Sequence, residues 1–284
     1  MSLTKSRLTA ISNAVTAIYN MAAMQANPVY SQLCTVVDSR RKEETLAWLG
    51  STPGMREWFG DRDFKELRSA EYTLANRLFE QSFFINRQDY DDDINGIYRP
   101  VIEDAAEEAV HHGDELLFET INAGESTACW DGQLFYDTDH AGSDSGTQSN
   151  DLSASMAGST PTVAEFKTAM NAAIVQLLGF KKDNGKPYIR PRADSSALPG
   201  LVLRVPIALY EVANTAINQQ FSLEGGAATT NVLLQKPSLM VIPYMGATYT
   251  GGSDVKFDID YTGGRVRPFV FQRRQRLQQQ TKGT

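Results

Sequence analysis

Acids and a histidine crowd one stretch, Trp130–His140, which reads WDGQLFYDTDH. Asp131, Asp137, Asp139 and His140 are residue types that bind divalent metals or move protons. A metal-dependent hydrolase would need about three such ligands around an ion that activates water. Ligand chemistry argues against it. Zinc sites lean on histidine, and the chain carries only His111, His112 and His140. The first two are neighbours in an expected helix, so they face different directions and form no i, i+4 pair. Asp131-Gly132 reads as a turn, QLFY as a short strand, and another polar turn follows. The structural reading is preferred, and a hydrolase using Asp131, Asp137, Asp139 and His140 stands as the alternative.

Other chemical signatures fail on spacing. Asp91, Asp93, Asn95 and Gly96 match the first half of a calcium loop. The twelfth position, which should hold a bidentate glutamate, is Ile102, and Pro100 interrupts the loop. GSDSG has Asp144 where a nucleophile elbow needs serine. Walker and G-x-G-x-x-G phosphate loops are absent from the sequence. Arg265, Arg267, Arg273, Arg274 and Arg276 form a modest basic cluster, read as a solvated strand end. No cofactor or metal is expected.

The bulk numbers narrow the class further. A chain of 284 residues suits one large domain or two modest ones. A formal charge of −7 argues against a dedicated nucleic-acid binder, which carries a basic face. Cys34 and Cys129 allow no disulfide framework, so reduced thiols are expected. No apolar run approaches the ~18 residues that span a membrane.

The elements that must position these residues follow from periodicity and breakers. Leu8, Ile11, Val15, Ile18 and Ala22 are spaced three and four apart, the stripe of an amphipathic helix that needs a partner surface. Leu46–Arg62 combines Trp48, Met55, Trp58 and Phe59 with Pro53 and three glycines. Gly and Pro forbid a long regular element, yet the aromatics favour burial, so the stretch reads either as an excursion covered by another surface or as an internal loop packed on its own core. The second half of Tyr72–Asp89, which holds Phe83 and Phe84, reads as a strand. A helix is expected over Pro100–Ala123, about 36 Å long at ~1.5 Å per residue. Proline suits its first turn, Gly124 ends it, and Gly113 weakens it. Glu103, Asp104, Glu107 and Glu108 crowd its start, where the macrodipole favours them. Val101, Ala105, Ala109, Leu116, Leu117 and Ile121 are its expected buried side.

The polar run Ala141–Pro161 separates two lobes. Thr162 and Glu165 form a capping box before a helix with Val163, Phe166, Met170, Ile174 and Leu177 on one face. Asn184-Gly185 tips a turn. GLVLRVP reads as a buried strand, Pro206 opens the next helix, and further strands are expected in NVLLQKPSLMVIPYM, DVKFDIDY and GRVRPFVFQ. The basic, polar end is expected to be solvated. From the residues alone, a structural self-associating protein, the hydrolase and a binding module using the Trp-rich segment all remain open.

Several pieces occur in an order that resembles a known family. They are WLGSTPGMREWFGDR, YTLANRLFE, RQDYDDDINGIYRP, AAEEAVHHGDELLFETINAG, WDGQLFYDTDH, PGLVLRVPIALYEVAN and VIPYM. Together, over roughly 30–271, they resemble the major head subunits (major capsid proteins) of Mu-type tailed phages and prophages. The resemblance implies an α+β, Hong Kong 97-type capsid fold. It implies an N-terminal arm over 1–45, an extended loop with flanking strands over 46–90, a peripheral domain with a long spine helix over 91–160, an axial domain over 161–252, and return strands with a basic tail over 253–284.

The implied function is structural, not enzymatic. Hexamers and pentamers would self-assemble into the icosahedral shell of a phage head around double-stranded DNA held without sequence specificity. An acidic wall suits that role, because it would not adsorb the genome tightly. Copies of the chain itself are the expected partners, with scaffold, portal and head accessory proteins; no membrane is involved. The expected location is the virion, after synthesis in the host bacterial cytoplasm. Expected inter-subunit contacts are Trp48, Met55, Trp58, Phe59 and Arg62 in the loop and Leu8, Ile11, Val15 and Ile18 in the arm. One departure stands out. The family pattern runs on past RPFVFQRRQRL into an aromatic-rich strand, whereas this sequence stops at Thr284, so a shortened C-terminus with an exposed sheet edge is expected.

Overall fold

The computed structural model describes residues 5–49, 69–84, 96–129, 131–142, 145–153, 156, 160–190, 199–218, 221–224, 227–230, 236–246, 256–264 and 267–274. In chain order these form α1 (Lys5–Gln25), α2 (Tyr30–Leu33), β1 (Cys34–Asp38), β2 (Glu43–Leu49), β3 (Ser69–Ala75) and the long helix α3 (Tyr98–Asn122). Then come β4 (His140–Gly142), β5 (Gly146–Gln148), α4 (Val163–Gly179), β6 (Leu201–Val205), a 3-10 turn over Ile207–Leu209 and α5 (Tyr210–Asn218). The chain ends with β7 (Phe221–Glu224), β8 (Ala227–Thr230), β9 (Ser238–Val241), β10 (Asp258–Tyr261) and β11 (Phe269–Arg273). No helix among the described residues is long and apolar enough to cross a membrane.

The elements fall into two compact units. The first comprises Met1–Glu44, Leu74–Leu117 and Phe269–Thr284. In α1 the expected stripe is present: Val15 and Ala22 are buried, and Ile11 and Ile18 are half-buried. β1 and β11, from opposite ends of the chain, pair in parallel from Cys34 opposite Phe269 to Asp38 opposite Arg273. The Arg273 guanidinium donates to Asp38 at 3.0 Å, so one arginine of the basic cluster has a structural partner.

The long helix starts at Tyr98, two residues before the expected proline. Its first turn therefore holds no acid. The crowded carboxylates sit beyond the turn where a macrodipole acts, and Glu103 pairs with Arg99 one turn back at 2.8 Å. The buried stripe keeps the expected Leu117 and Ile121 but is displaced in the earlier turns. Ile102, Ala106, Leu117, Phe118 and Ile121 are buried, while Val101 is 53% exposed. Gly113 explains much of the displacement. The Tyr30 ring lies over it, where a Cβ would come within 2.6 Å of the ring, and Tyr30 stacks on Phe271 at 4.5 Å. The buried Asp114 secures the arrangement by accepting the Tyr30 N–H at 2.7 Å and facing His111 Nδ1 at 2.9 Å.

At the edge of this unit a turn closes the root of the β2–β3 pair. Glu44 accepts the N–H groups of Arg40 and Arg41 at 2.9 and 3.2 Å. These bonds, led by the one from Arg40, hold its carboxyl below the usual range. Asn76 donates to Ser39 and to the Arg41 carbonyl, both at 2.8 Å. The expected strand over the second half of Tyr72–Asp89 is corrected for 81–84, and 85–89 lie outside the described residues. β3 ends at Ala75, and Asn76–Phe84 belongs to no strand. Its strand-forming residues find no partner strand among the described residues.

The second unit comprises Thr45–Thr73 and Phe118–Pro268. Its centre is β6, every residue of which is buried, between antiparallel β10 and parallel β9. α4, the 3-10 turn and α5 cover it through Phe166, Met170, Ile174, Leu209, Ala213 and Ile217, packed on Leu203 and Val205. The Thr162–Glu165 capping box forms as its sequence spacing requires. Gly185 takes φ +71° at the tip of the expected turn. Pro206 caps the 3-10 turn that leads into α5.

Candidate functional site

The acidic segment is built outward from the end of α3. Gly124 follows the helix and is buried, with the Tyr136 ring so close that a Cβ would meet it at 2.8 Å. Tyr136 donates its backbone N–H to the Gly124 carbonyl at 3.2 Å. Ala128 and Leu134 bridge across a tight turn, and Cys129 donates to the Gln133 carbonyl at 2.6 Å. Asp131 sits at the tip and accepts the Gln133 N–H at 3.2 Å, the local bond for which Asp is favoured in turns. Cys34 and Cys129 are both thiols, as expected.

Three of the four suspected ligands, Asp131, Asp137 and His140, are engaged by the loop itself. Asp131 Oδ2 lies 2.6 Å from His140 Nδ1, and His140 Nε2 faces the Phe135 carbonyl at 3.2 Å. Both imidazole nitrogens are thus used inside the segment. Asp137 turns back to accept the Thr138 N–H at 2.6 Å, and that bond leads the causes that hold its carboxyl below the usual range. Asn150 accepts the Asp137 N–H at 2.8 Å, pinning the second polar turn to the chain beyond β5. Asp139 is exposed. Among the described residues no three acids, histidines or cysteines converge on a point where a metal could sit. The hydrolase alternative is corrected: Asp131 and His140 form a closed pair, and Asp137 and Asp139 do not join it.

Of the inter-subunit candidates, Val15, Ile11 and Ile18 share the α1 stripe described above. Leu8 lies in α1 and Trp48 in β2, but their side chains are outside the described set, as are Met55, Trp58, Phe59 and Arg62 entirely. Of the calcium-like loop, 91–95 lie outside it, while its expected later positions, Pro100 and Ile102, belong to α3.

Tyr136, within the segment, leads to a group that sequence reading missed. Arg204, 1% exposed in the middle of β6, pairs with Asp260 through Nε and through Nη2 at 3.3 Å, and with Asp258 through Nη1 at 3.2 Å. Strand register explains the convergence. Asp258 is directly opposite Arg204, and Asp260, two residues on, emerges on the same face. Burial works against the Arg204 charge, but Asp260 and then Asp258 outweigh it and hold the guanidinium firmly protonated. Burial pushes the Asp258 carboxyl up, with Arg204 pulling it back only in part. Burial likewise drives the Tyr136 phenol well above its ordinary range. The signal was present as one arginine in an otherwise apolar strand, matched by D-x-D in DIDY. Tyr136 of the acidic segment lies close enough to feel the charges of Asp258, Arg204 and Asp260, which brings the segment beside this sheet.

The fold and this cluster can be set beside known proteins. Residues 8–166 match the family model of the Mu-like prophage major head subunit gpT. Over 111 residues the chain is 43% identical to the Mu-like prophage FluMu major head subunit of Haemophilus influenzae. It is 36% identical to the major capsid protein of Escherichia phage Mu over 111 residues. Each alignment covers 39% of this chain and 36% of the relative. Among solved structures, the procapsid of bacteriophage JBD30 superposes with a TM-score of 0.64 at 23% identity, covering 86% of this chain and all of that one. The JBD30 capsid gives 0.57 at 23% identity, covering 78% and 92%. The mixed α+β architecture is therefore a phage capsid fold. With more than half of its residues inside the family model, the chain belongs to the family of Mu-like prophage major head subunits.

Proposed function

We propose that this chain is the shell-forming subunit of a tailed-phage head. Many copies assemble as hexamers and pentamers into a closed icosahedral capsid around double-stranded DNA, and the protein resides in the virion after synthesis in the bacterial host. The observation that carries this reading is the family match over 8–166, which runs from α1 through α3 and the acidic segment into α4. In this reading α3 is the spine helix of a Hong Kong 97-type peripheral domain. Residues 1–45 are the arm, 46–90 the extended loop and 161–252 the axial domain, with 253–284 returning to the peripheral domain.

The mechanism is assembly rather than turnover. Heterologous contacts between identical copies close into rings when the rotation between them closes. Trp48, Met55, Trp58, Phe59 and Arg62 in the loop, with Leu8, Ile11, Val15 and Ile18 in the arm, supply contact surface. The acidic segment ties the end of the spine helix to the sheet that Arg204 centres. Scaffold, portal and head accessory proteins are the further partners, and the packaged DNA is held without sequence recognition. Sedimentation velocity of the purified protein tests this reading. A fast boundary of many copies is expected, and a folded single copy at every concentration up to the solubility limit would overturn it.

A further inference from the structure

One stretch of this acidic chain is locally basic. Residues 181–190, KKDNGKPYIR, hold Lys181, Lys182, Lys186 and Arg190 against the single acid Asp183. They form a stiff turn beyond the end of α4. The Lys182 N–H donates to the Lys186 carbonyl and the Gly185 N–H to the Lys182 carbonyl, both at 2.8 Å, and the Tyr188 N–H closes on the Phe180 carbonyl at 2.7 Å. Gln148 of β5 brackets the base. It accepts the Lys181 N–H at 2.6 Å and donates to the Lys181 carbonyl at 3.0 Å. Ile189 is buried and anchors the far end. Lys181, Lys186 and Arg190 are exposed, and Lys182 lies over the ring of the exposed Tyr188 at 5.6 Å. Asp183 turns back instead. A Cβ on Gly142 would meet its Oδ1 at 2.5 Å, so the one carboxylate faces the β4–β5 turn. Four cations thus sit on a preformed turn whose own acid is directed elsewhere.

We propose that the 181–190 turn binds the phosphate backbone of double-stranded DNA through Lys181, Lys182, Lys186 and Arg190. The inference rests on the shell-forming reading and deepens it. It names where the enclosed DNA touches the chain, and it puts this turn on the inner side of the shell. Charge complementarity chooses the occupant. Duplex DNA presents one negative charge per about 1.7 Å of its axis, so closely spaced cations each find a phosphate. A second copy offers no such uniform row, because its 34 acids are interspersed with 27 basic residues. Phosphate contacts carry no sequence information, so the binding is independent of sequence. Four contacts are few, and the rest of a chain of net charge −7 repels DNA. The contact is therefore weak for one copy and gains strength from the many copies of a shell.

The test compares the wild type with the K181E/K186E/R190E triple variant, using fluorescence anisotropy of a labelled DNA duplex across a salt series. Binding by the unassembled wild type should fall with salt at a log–log slope of about −3 to −4, the value for four neutralised phosphates. A duplex of scrambled sequence should bind equally. The variant should bind at least about tenfold more weakly at low salt. Its three substituted side chains are exposed, so its unfolding midpoint should move by less than about 2 °C and its assembly by sedimentation velocity should match the wild type. A variant that binds DNA like the wild type, or a wild type that assembles but binds no DNA, overturns the contact and leaves the shell reading intact. A variant that loses assembly but keeps its DNA affinity shows that the turn meets another copy instead, which also overturns it. A wild type that never assembles overturns the shell reading and the inner-surface contact with it.

Discussion

Replacing Arg204 by methionine probes the clamp at the centre of the second unit. Methionine keeps much of the aliphatic stem but leaves the buried Asp260 and the half-buried Asp258 beside each other without their cation. Three contacts go: Nη1 to Asp258 at 3.2 Å, Nη2 to Asp260 at 3.3 Å, and the Nε bond to Asp260. Removing one partner of a buried ion pair costs about 3–5 kcal/mol, because the remaining charge is uncompensated. At about 2–4 °C per kcal/mol for units of roughly 150–250 residues, the midpoint should fall by about 10 °C. The sign of the pH dependence follows from Asp258. Its carboxyl is pushed up in the fold, so between the ordinary carboxylate pKa and the raised one the folded state binds more protons than the unfolded state. Its contribution therefore becomes more favourable as pH falls through that window. Without Arg204 the upward push grows, so the deficit should be largest at pH 8 and smaller at pH 5. Thermal unfolding of unassembled protein, followed by circular dichroism at both pH values, measures this. An unchanged midpoint, or a deficit that grows on acidification, would refute the argument.

Further expectations rest on other groups. Gly113→Ala should destabilise by about 1–3 kcal/mol in urea unfolding despite its better helix propensity, because the new methyl meets the Tyr30 ring; a gain in stability would contradict that packing. Thr162→Ala should cost about 1 kcal/mol by removing the cap of α4, read by the same titration. Asp139→Ala and His140→Ala should separate cleanly: the first is neutral because Asp139 is exposed, whereas the second loses about 1–2 kcal/mol with the Asp131 contact. Calorimetric titration of the wild type with zinc or calcium should show no saturable heat at the acidic segment; a one-to-one isotherm abolished by Asp139→Ala would restore the metal reading.

Local signals in the sequence translated well into structure where one residue's chemistry decides a bond. Thr162 with Glu165, Asn184-Gly185 and the stripe of α1 are such cases. In the acidic segment the turn was legible, because Asp131-Gly132 obeys turn chemistry whatever lies around it, but QLFY forms only an isolated bridge at Leu134 and no strand. What escaped depended on distant partners. The buried side of α3 is set by Tyr30 crossing at Gly113, which no helical periodicity encodes. The Arg204 cluster needs the β6–β10 register, which pairs residues more than fifty positions apart. The Phe83–Phe84 run has the composition of a strand but lacks a partner strand in its own described chain, so composition and structure part there.

Electron microscopy of the purified protein, with symmetry averaging, tests the central claim most directly. Five- and six-fold rings joined in closed shells are the expected result, with α3 and the clamped acidic segment resolved in every copy. A folded protein that yields no ordered particles, only single copies or small irregular clusters, would contradict it.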